Sequence, residues 1–233
     1  MKGNDTYSRV RTLFEKYEDF IKSVKERETE QRVSLSEIIE LKSTLSNVNN
    51  IITLLATRAV VCKIADAFAF GEEKKRELIK DIDRKGPNAN GYDIRLENPK
   101  ILVEVKCNTL IDGKKWGAGQ LRSMQNDVLK LYDPNKKHKK ASDAIQSTDE
   151  YLKILAVVNF AGIDNDSLVA PLTKEVKCKE GTSEDRKMRK ATWKVVRLLK
   201  EPLQNVRDIH DKVHLLVLTR QDLEDSFNQV LGH

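Results

Sequence analysis

Two short segments of strand-like residues, separated by four turn-prone ones, constrain this chain more than any other feature. Asn90-Gly91-Tyr92-Asp93-Ile94-Arg95-Leu96 and Ile101-Leu102-Val103-Glu104-Val105-Lys106 flank Glu97-Asn98-Pro99-Lys100. Apolar and β-branched residues bounded by Gly, Asn and Pro read as two strands of a hairpin. Side chains alternate in a strand, so Ile101, Val103 and Val105 take one face and Leu102, Glu104 and Lys106 the other. In the first strand Tyr92, Ile94 and Leu96 oppose Asp93 and Arg95. If the pair is antiparallel and unbulged with Leu96 against Ile101, Asp93 falls against Glu104. Their Cβ atoms are then roughly 4.5–5.5 Å apart, with Lys106 next along the same face.

Two facing carboxylates repel unless positive charge lies between them. A divalent metal with hard oxygen ligands answers that need. A lysine two residues beyond the second acid completes a set suited to phosphodiester cleavage. In such a set the metal polarises the phosphate and activates water, while the ammonium orients that water or offsets developing charge.

Asp93, ten intervening residues, and Glu104-Val105-Lys106 together resemble the PD-(D/E)xK nuclease superfamily, which includes most type II restriction endonucleases. Tyr92 stands where the pattern's proline would be. A Glu-x-Lys alone carries little weight in a chain with 33% charged residues, because solvated strand edges produce many such tripeptides. Here the tripeptide lies in an apolar strand, an Asp precedes it with the right facing, and a Gly-Gln helix start follows.

The resemblance implies a Mg²⁺-dependent endodeoxyribonuclease of the type II restriction kind, with Mn²⁺ as a possible substitute. Asp93, Glu104 and the carbonyl of Val105 would bind the metal, and Lys106 would assist the attacking water. The products would be a 3′-hydroxyl and a 5′-phosphate. Gln120 matches a polar residue that many members carry at the start of the following helix. Members often add an acid from the helix before the hairpin, a role open to Asp66, Glu72 or Glu73. Double-stranded DNA is the expected partner. A homodimer is expected as well, because two-fold DNA is matched by two-fold protein.

Charge is compatible with a polyanionic partner. The chain of 233 residues has a formal net charge of +6. Lys136, Lys137, Lys139 and Lys140 form one compact cluster around His138, and Arg186-Lys187-Met188-Arg189-Lys190 with Lys194 forms another. Either suits phosphates, and either also suits a solvated surface. Lys114, Lys115 and Trp116 lie in a Gly-rich loop, where the lysines suit a backbone and the indole suits stacking on bases or packing under the loop.

Other chemistries find little support. Three cysteines at wide spacing give neither a zinc pattern nor a disulfide framework. The four histidines are scattered; His210 and His214 have helical spacing, but His214 opens a predicted strand and no third ligand is near. No Walker, Rossmann or G-x-S-x-G pattern occurs. No uninterrupted apolar run approaches the roughly 20 residues that span a bilayer, and the start of the chain lacks a signal-like core. A cytoplasmic protein without membrane contact is expected.

Periodicity predicts the frame. Val10, Leu13, Phe14, Tyr17, Ile21 and Val24 lie at helical spacing. Ser34 and Glu37 form a capping box for a long helix reaching about 70, with a break possible at Asn49-Asn50 and a stop at Gly71. Residues 72–85 read as helix or loop. A helix begins near Gln120 and ends at Asp133-Pro134. Residues 154–160 and 213–219 read as buried strands. The polar stretch 164–211 between them reads as an insertion with one helix at 184–199, and 221–231 as a terminal helix. The expected fold is α/β: a mixed central sheet flanked by helices, restriction endonuclease-like, at 71–233. An N-terminal helical region at 1–70 would pack on it and offer a dimer arm. Three rivals remain on sequence grounds: a structure-selective repair or recombination nuclease, a non-catalytic DNA-binding protein with structural acids, and a helical interaction protein built on 1–70.

Overall fold

The computed structural model describes residues 12, 15–19, 21–22, 35–84, 91–132, 148–174, 183–206 and 211–231. Ser34 of the expected capping box, most of the first helical pattern and the lysine cluster at 136–140 lie outside them.

Helix α1 (Leu35–Ala67) runs unbroken through Asn49-Asn50 for 33 residues, about 50 Å at 1.5 Å per residue. Its two halves differ. From Ile51 to Ala65 the apolar residues are buried, Ile52 and Cys62 only partly, whereas Leu35, Ile38, Ile39, Leu41 and Leu45 are exposed. Ile38–Ala67 is long and apolar enough to cross a membrane by length and composition alone, contrary to the estimate from uninterrupted runs, and 61% of its most apolar window is buried in the fold. The left-handed stop residue past its end is Ala69 (φ 50°), not Gly71. Phe70 N–H reaches the Ala65 carbonyl (2.8 Å) and Ala69 N–H the Asp66 carbonyl (3.3 Å), the two bonds of a Schellman stop. Helix α2 (Glu72–Arg84) carries acids in its first turn and Arg84 in its last, in accord with its dipole.

The chain then forms β1 (Ile94–Glu97), β2 (Lys100–Lys106), α3 (Ala118–Tyr132) and β3 (Leu152–Val158). After these come α4 (Asn165–Thr173), α5 (Ser183–Val195), β4 (Val196–Leu198), a 3₁₀ turn (Leu203–Asn205), β5 (Val213–Leu218) and α6 (Arg220–Leu231). The sheet order is β1-β2-β3-β5-β4. β1 is antiparallel to β2, and every other pairing is parallel. This is an α/β fold with a five-stranded mixed sheet flanked by helices.

Both faces of the sheet are covered, which is why β3 is apolar and buried along nearly its whole length. On one face Ile101, Val103, Val105, Ile154 and Ala156 pack against α1, with Leu223 and Val230 of α6. On the other, Leu102, Leu155, Val157 and Leu215 pack against Met124, Val128 and Leu131 of α3 and Leu168, Val169 and Leu172 of α4. The C-terminal half of α1 thus belongs to the same core as the sheet.

Two expectations need correction. Among its described residues the stretch 164–211 holds two α-helices rather than one, and the second stops at Val195 instead of running to 199. Val196–Leu198 leaves the helix because it pairs with the free edge of β5, so the excursion contributes the fifth strand. Asp164 caps α4, its Oδ1 accepting from Ser167 N–H at 2.9 Å.

Candidate active site

The hairpin register is the expected one from Glu97–Lys100 back to Ile94, which faces Val103. It slips at Asp93. The Asp93 N–H also bonds the Val103 carbonyl (3.1 Å), so two residues stand against one, the arrangement of a β-bulge. One residue before β1, the alternation therefore breaks. Tyr92 turns to the α3 face, where it packs with Leu102 and Leu131 instead of joining Ile94 and Leu96 on the α1 face. Asp93 is not a plain cross-strand partner of Glu104. Its Oδ2 instead accepts the N–H of Val105 at 2.7 Å, across the mouth of the hairpin.

That bond also orients Val105. In an extended strand the N–H and C=O of one residue point to the same side. The Val105 carbonyl is therefore aimed toward the Asp93 side, while its side chain sits in the α1 core.

Glu104 lies mid-strand on the α3 face and is only 2% exposed. A bare carboxylate cannot rest there. Helix α3 supplies the partner: Lys130 Nζ is 2.5 Å from Glu104 Oε1. Lys106, further along β2, has its Nζ 2.7 Å from Asp127 Oδ2 and 3.4 Å from Ser123 Oγ. Ser123, Asp127 and Lys130 follow one stripe of α3, each one residue before a member of the buried stripe Met124, Val128 and Leu131. Packing those three on the sheet brings the polar stripe over Glu104 and Lys106. Lys130 also lies over the Tyr92 ring (4.9 Å to its centroid), and the Tyr92 hydroxyl donates to the Lys130 carbonyl at 3.4 Å.

The electrostatics follow from burial. Glu104 is pushed up to about 7, first by loss of water and next by the charge of Asp93, even with Lys130 against it. Asp93 is also raised, by burial, against the opposing pull of the Val105 N–H, Lys106 and Lys130. Tyr92 is pushed up to about 12 by burial and by Glu104. Three acids (Asp93, Glu104, Asp127) and two lysines (Lys106, Lys130) therefore act on one another, and the balance is negative. Among the described residues no three His, Cys, Asp or Glu side chains converge closely enough to hold a metal by themselves. The donors present are two carboxylates and a backbone carbonyl. All are hard oxygens, and the carboxylate pair is short of positive charge, so the set suits a hard divalent cation.

The remaining sequence candidates are placed elsewhere. Gln120 does not join the cluster: its Oε1 accepts from Gly117 N–H (2.9 Å) and its Nε2 donates to the Thr109 carbonyl (3.1 Å), pinning the loop after β2 to the start of α3. Trp116 packs under that loop with Nε1 donating to the Leu168 carbonyl at 2.8 Å, and Lys114 and Lys115 are exposed beside it. Asp66 is paired with Lys75 (3.4 Å), and Glu72 and Glu73 are exposed at the start of α2. The third acid in electrostatic reach is Asp127, from the helix after the hairpin rather than the one before it. Lys136, Lys137, Lys139, Lys140 and His210 lie outside the described residues, and His214 is buried in β5. In the second basic cluster Arg186, Lys187, Lys190 and Lys194 are exposed.

Asp127 and Lys130 are what the sequence reading missed. The usable signal was a polar stripe, Ser123, Asp127 and Lys130, running beside the apolar stripe of the helix that follows the acidic strand. Comparison with protein-family models, with curated proteins and with solved structures finds no match.

Proposed function

We propose that this chain is a Mg²⁺-dependent endodeoxyribonuclease with a restriction endonuclease-like core, acting on double-stranded DNA as a homodimer in the cytoplasm. One observation carries the reading. A buried acid in mid-strand, a second acid bonded across to the next residue of that strand, and a lysine two residues further on share one small region under α3. Glu104 is paired with Lys130, Lys106 with Asp127 and Asp93 with the Val105 N–H; what supports the reading is that all of them converge in one place.

Asp93, Glu104 and the Val105 carbonyl would hold the cation. When bound, it would supply positive charge at the scissile phosphate and lower the pKa of an attacking water. The chain's own residues do the rest. Asp127 and Ser123 hold the Lys106 ammonium close to the carboxylates, where it orients the water in line with the leaving oxygen and offsets charge building on the phosphate. The packed α3 face limits access of bulk water, which strengthens each of these interactions. The exposed lysines Lys114 and Lys115 and the basic face of α5 would contact the DNA backbone.

The test is incubation of supercoiled plasmid with and without Mg²⁺, beside Asp93→Ala and Lys106→Ala. Discrete metal-dependent bands, lost in both variants, support the reading. Undiminished cutting by either variant removes the site. Cleavage confined to branched substrates would instead identify a structure-selective nuclease. DNA binding without cleavage under any metal would leave a binding protein with structural acids.

A further inference from the structure

We infer that Lys130 is a built-in stand-in for the cation, and that metal loading must displace it from Glu104. The inference rests on the proposed metal site and adds the device that governs its occupancy. Lys130 Nζ sits 2.5 Å from Glu104 Oε1, with the two side chains 11% and 3% exposed. It also acts on Asp93 from the same position. The ammonium thus serves both proposed metal-binding carboxylates, and a divalent ion at Glu104 would compete with it for the same oxygen.

The geometry also provides a resting place for the displaced ammonium. Lys130 lies in the last turn of α3, where a positive charge is favoured by the helix dipole. The Tyr92 ring is already beneath it, at 4.9 Å, and an aromatic face accepts an ammonium. A short swing of one flexible side chain therefore exchanges the carboxylate for the ring and the helix end without moving the backbone. Lys106, tied to Asp127 and Ser123, stays in place during that exchange.

The test measures metal affinity and not turnover. Mg²⁺ and Mn²⁺ are titrated calorimetrically at pH 8.5 into the wild-type protein, Lys130→Met, Lys130→Arg and Asp93→Asn, with each fold checked by circular dichroism. Removing the competing ammonium should tighten binding about tenfold or more, given the strength of a close charge pair in a partly desolvated site. Lys130→Arg keeps the charge and offers a planar fork to the carboxylate, so it should weaken binding. Asp93→Asn should abolish it. If the wild type binds metal and Asp93→Asn does not, yet Lys130→Met is equal to or weaker than wild type, the stand-in role is refuted while the site survives. Should Lys130→Met fail to fold, Lys130→Arg still decides: affinity equal to or tighter than wild type overturns the competition. If neither the wild type nor any Lys130 variant binds either metal, the site itself fails and the inference falls with it.

Discussion

Glu104 offers the sharpest test of the site's electrostatics, because its burial converts directly into a pH-dependent stability. Its carboxyl is raised from 4.5 to about 7, with loss of solvent as the largest cause and Asp93 as the next. The folded protein therefore holds this proton more tightly than the unfolded chain. The stabilisation is complete below about 4.5 and is lost as pH rises through 7. At 1.36 kcal/mol per pH unit the full effect is about 3 kcal/mol, most of it falling between pH 5 and 8. Glutamine at 104 keeps the shape but cannot ionise. Urea denaturation of wild type and Glu104→Gln at pH 5 and pH 8, without divalent ions, should give a wild-type loss exceeding the variant's by about that amount. The difference between proteins removes groups remote from Glu104, and the carboxyls lowered by their partners, Glu97, Asp164 and Asp222, titrate below this window, whereas Asp93, raised beside Glu104, contributes to the same difference. Saturating Mg²⁺ should restore the wild type at pH 8 and leave the variant where it was. Equal pH dependence in the two proteins would refute the claim that Glu104 is ionised at a cost inside the fold.

Further outcomes follow from the packing. Leu102→Ala opens a void between Met124, Val128 and Leu155 on the same face as Glu104, and should lower stability by about 2–5 kcal/mol in urea unfolding with an unchanged slope. Gln120→Ala removes both amide bonds to the loop after β2, and should cost about 1–2 kcal/mol and increase proteolysis within 107–117. The same variant should leave metal affinity near wild type, because the Gln120 amide does not face the acids. The plasmid assay and the metal titrations above complete the set.

How far the hairpin could be read shows what periodicity encodes. Ile101, Val103 and Val105 against Leu102, Glu104 and Lys106 divide between the two cores as alternation requires, and the register of β1 on β2 is the expected one through Ile94. The slip at Asp93 was not legible. A period of two records which face a residue takes, but not where one extra residue enters the ladder. Gly91, at φ 77°, marked only that the chain could bend just before it. The strand at Val196–Leu198 was hidden for another reason. Its residues extend the helical pattern of α5, and only the open edge of β5, distant in sequence, draws them into a sheet.

Asp127 and Lys130 illustrate the deeper limit. With Arg122 they are the charged residues of α3, and nothing local separates either from a solvated one. Their role comes from a phase relation. Met124, Val128 and Leu131 seat α3 on the sheet, and that seating rotates the adjacent stripe over β2 rather than into solvent. The phase depends on how side chains of α3 interlock with Leu102 and Leu155, a three-dimensional fit with no one-dimensional trace. Yet the need for Lys130 was implicit in Glu104 itself. An acid flanked by Val103 and Val105 in a strand covered on both faces must meet a cation, because an unpaired buried carboxylate is too costly to persist. What the sequence left open was whether that cation is a metal or a lysine. The geometry answers with a lysine on the oxygen for which a metal would compete, so the affinity of Lys130→Met for Mg²⁺ tests that competition, while loss of metal binding in Asp93→Asn tests the site itself.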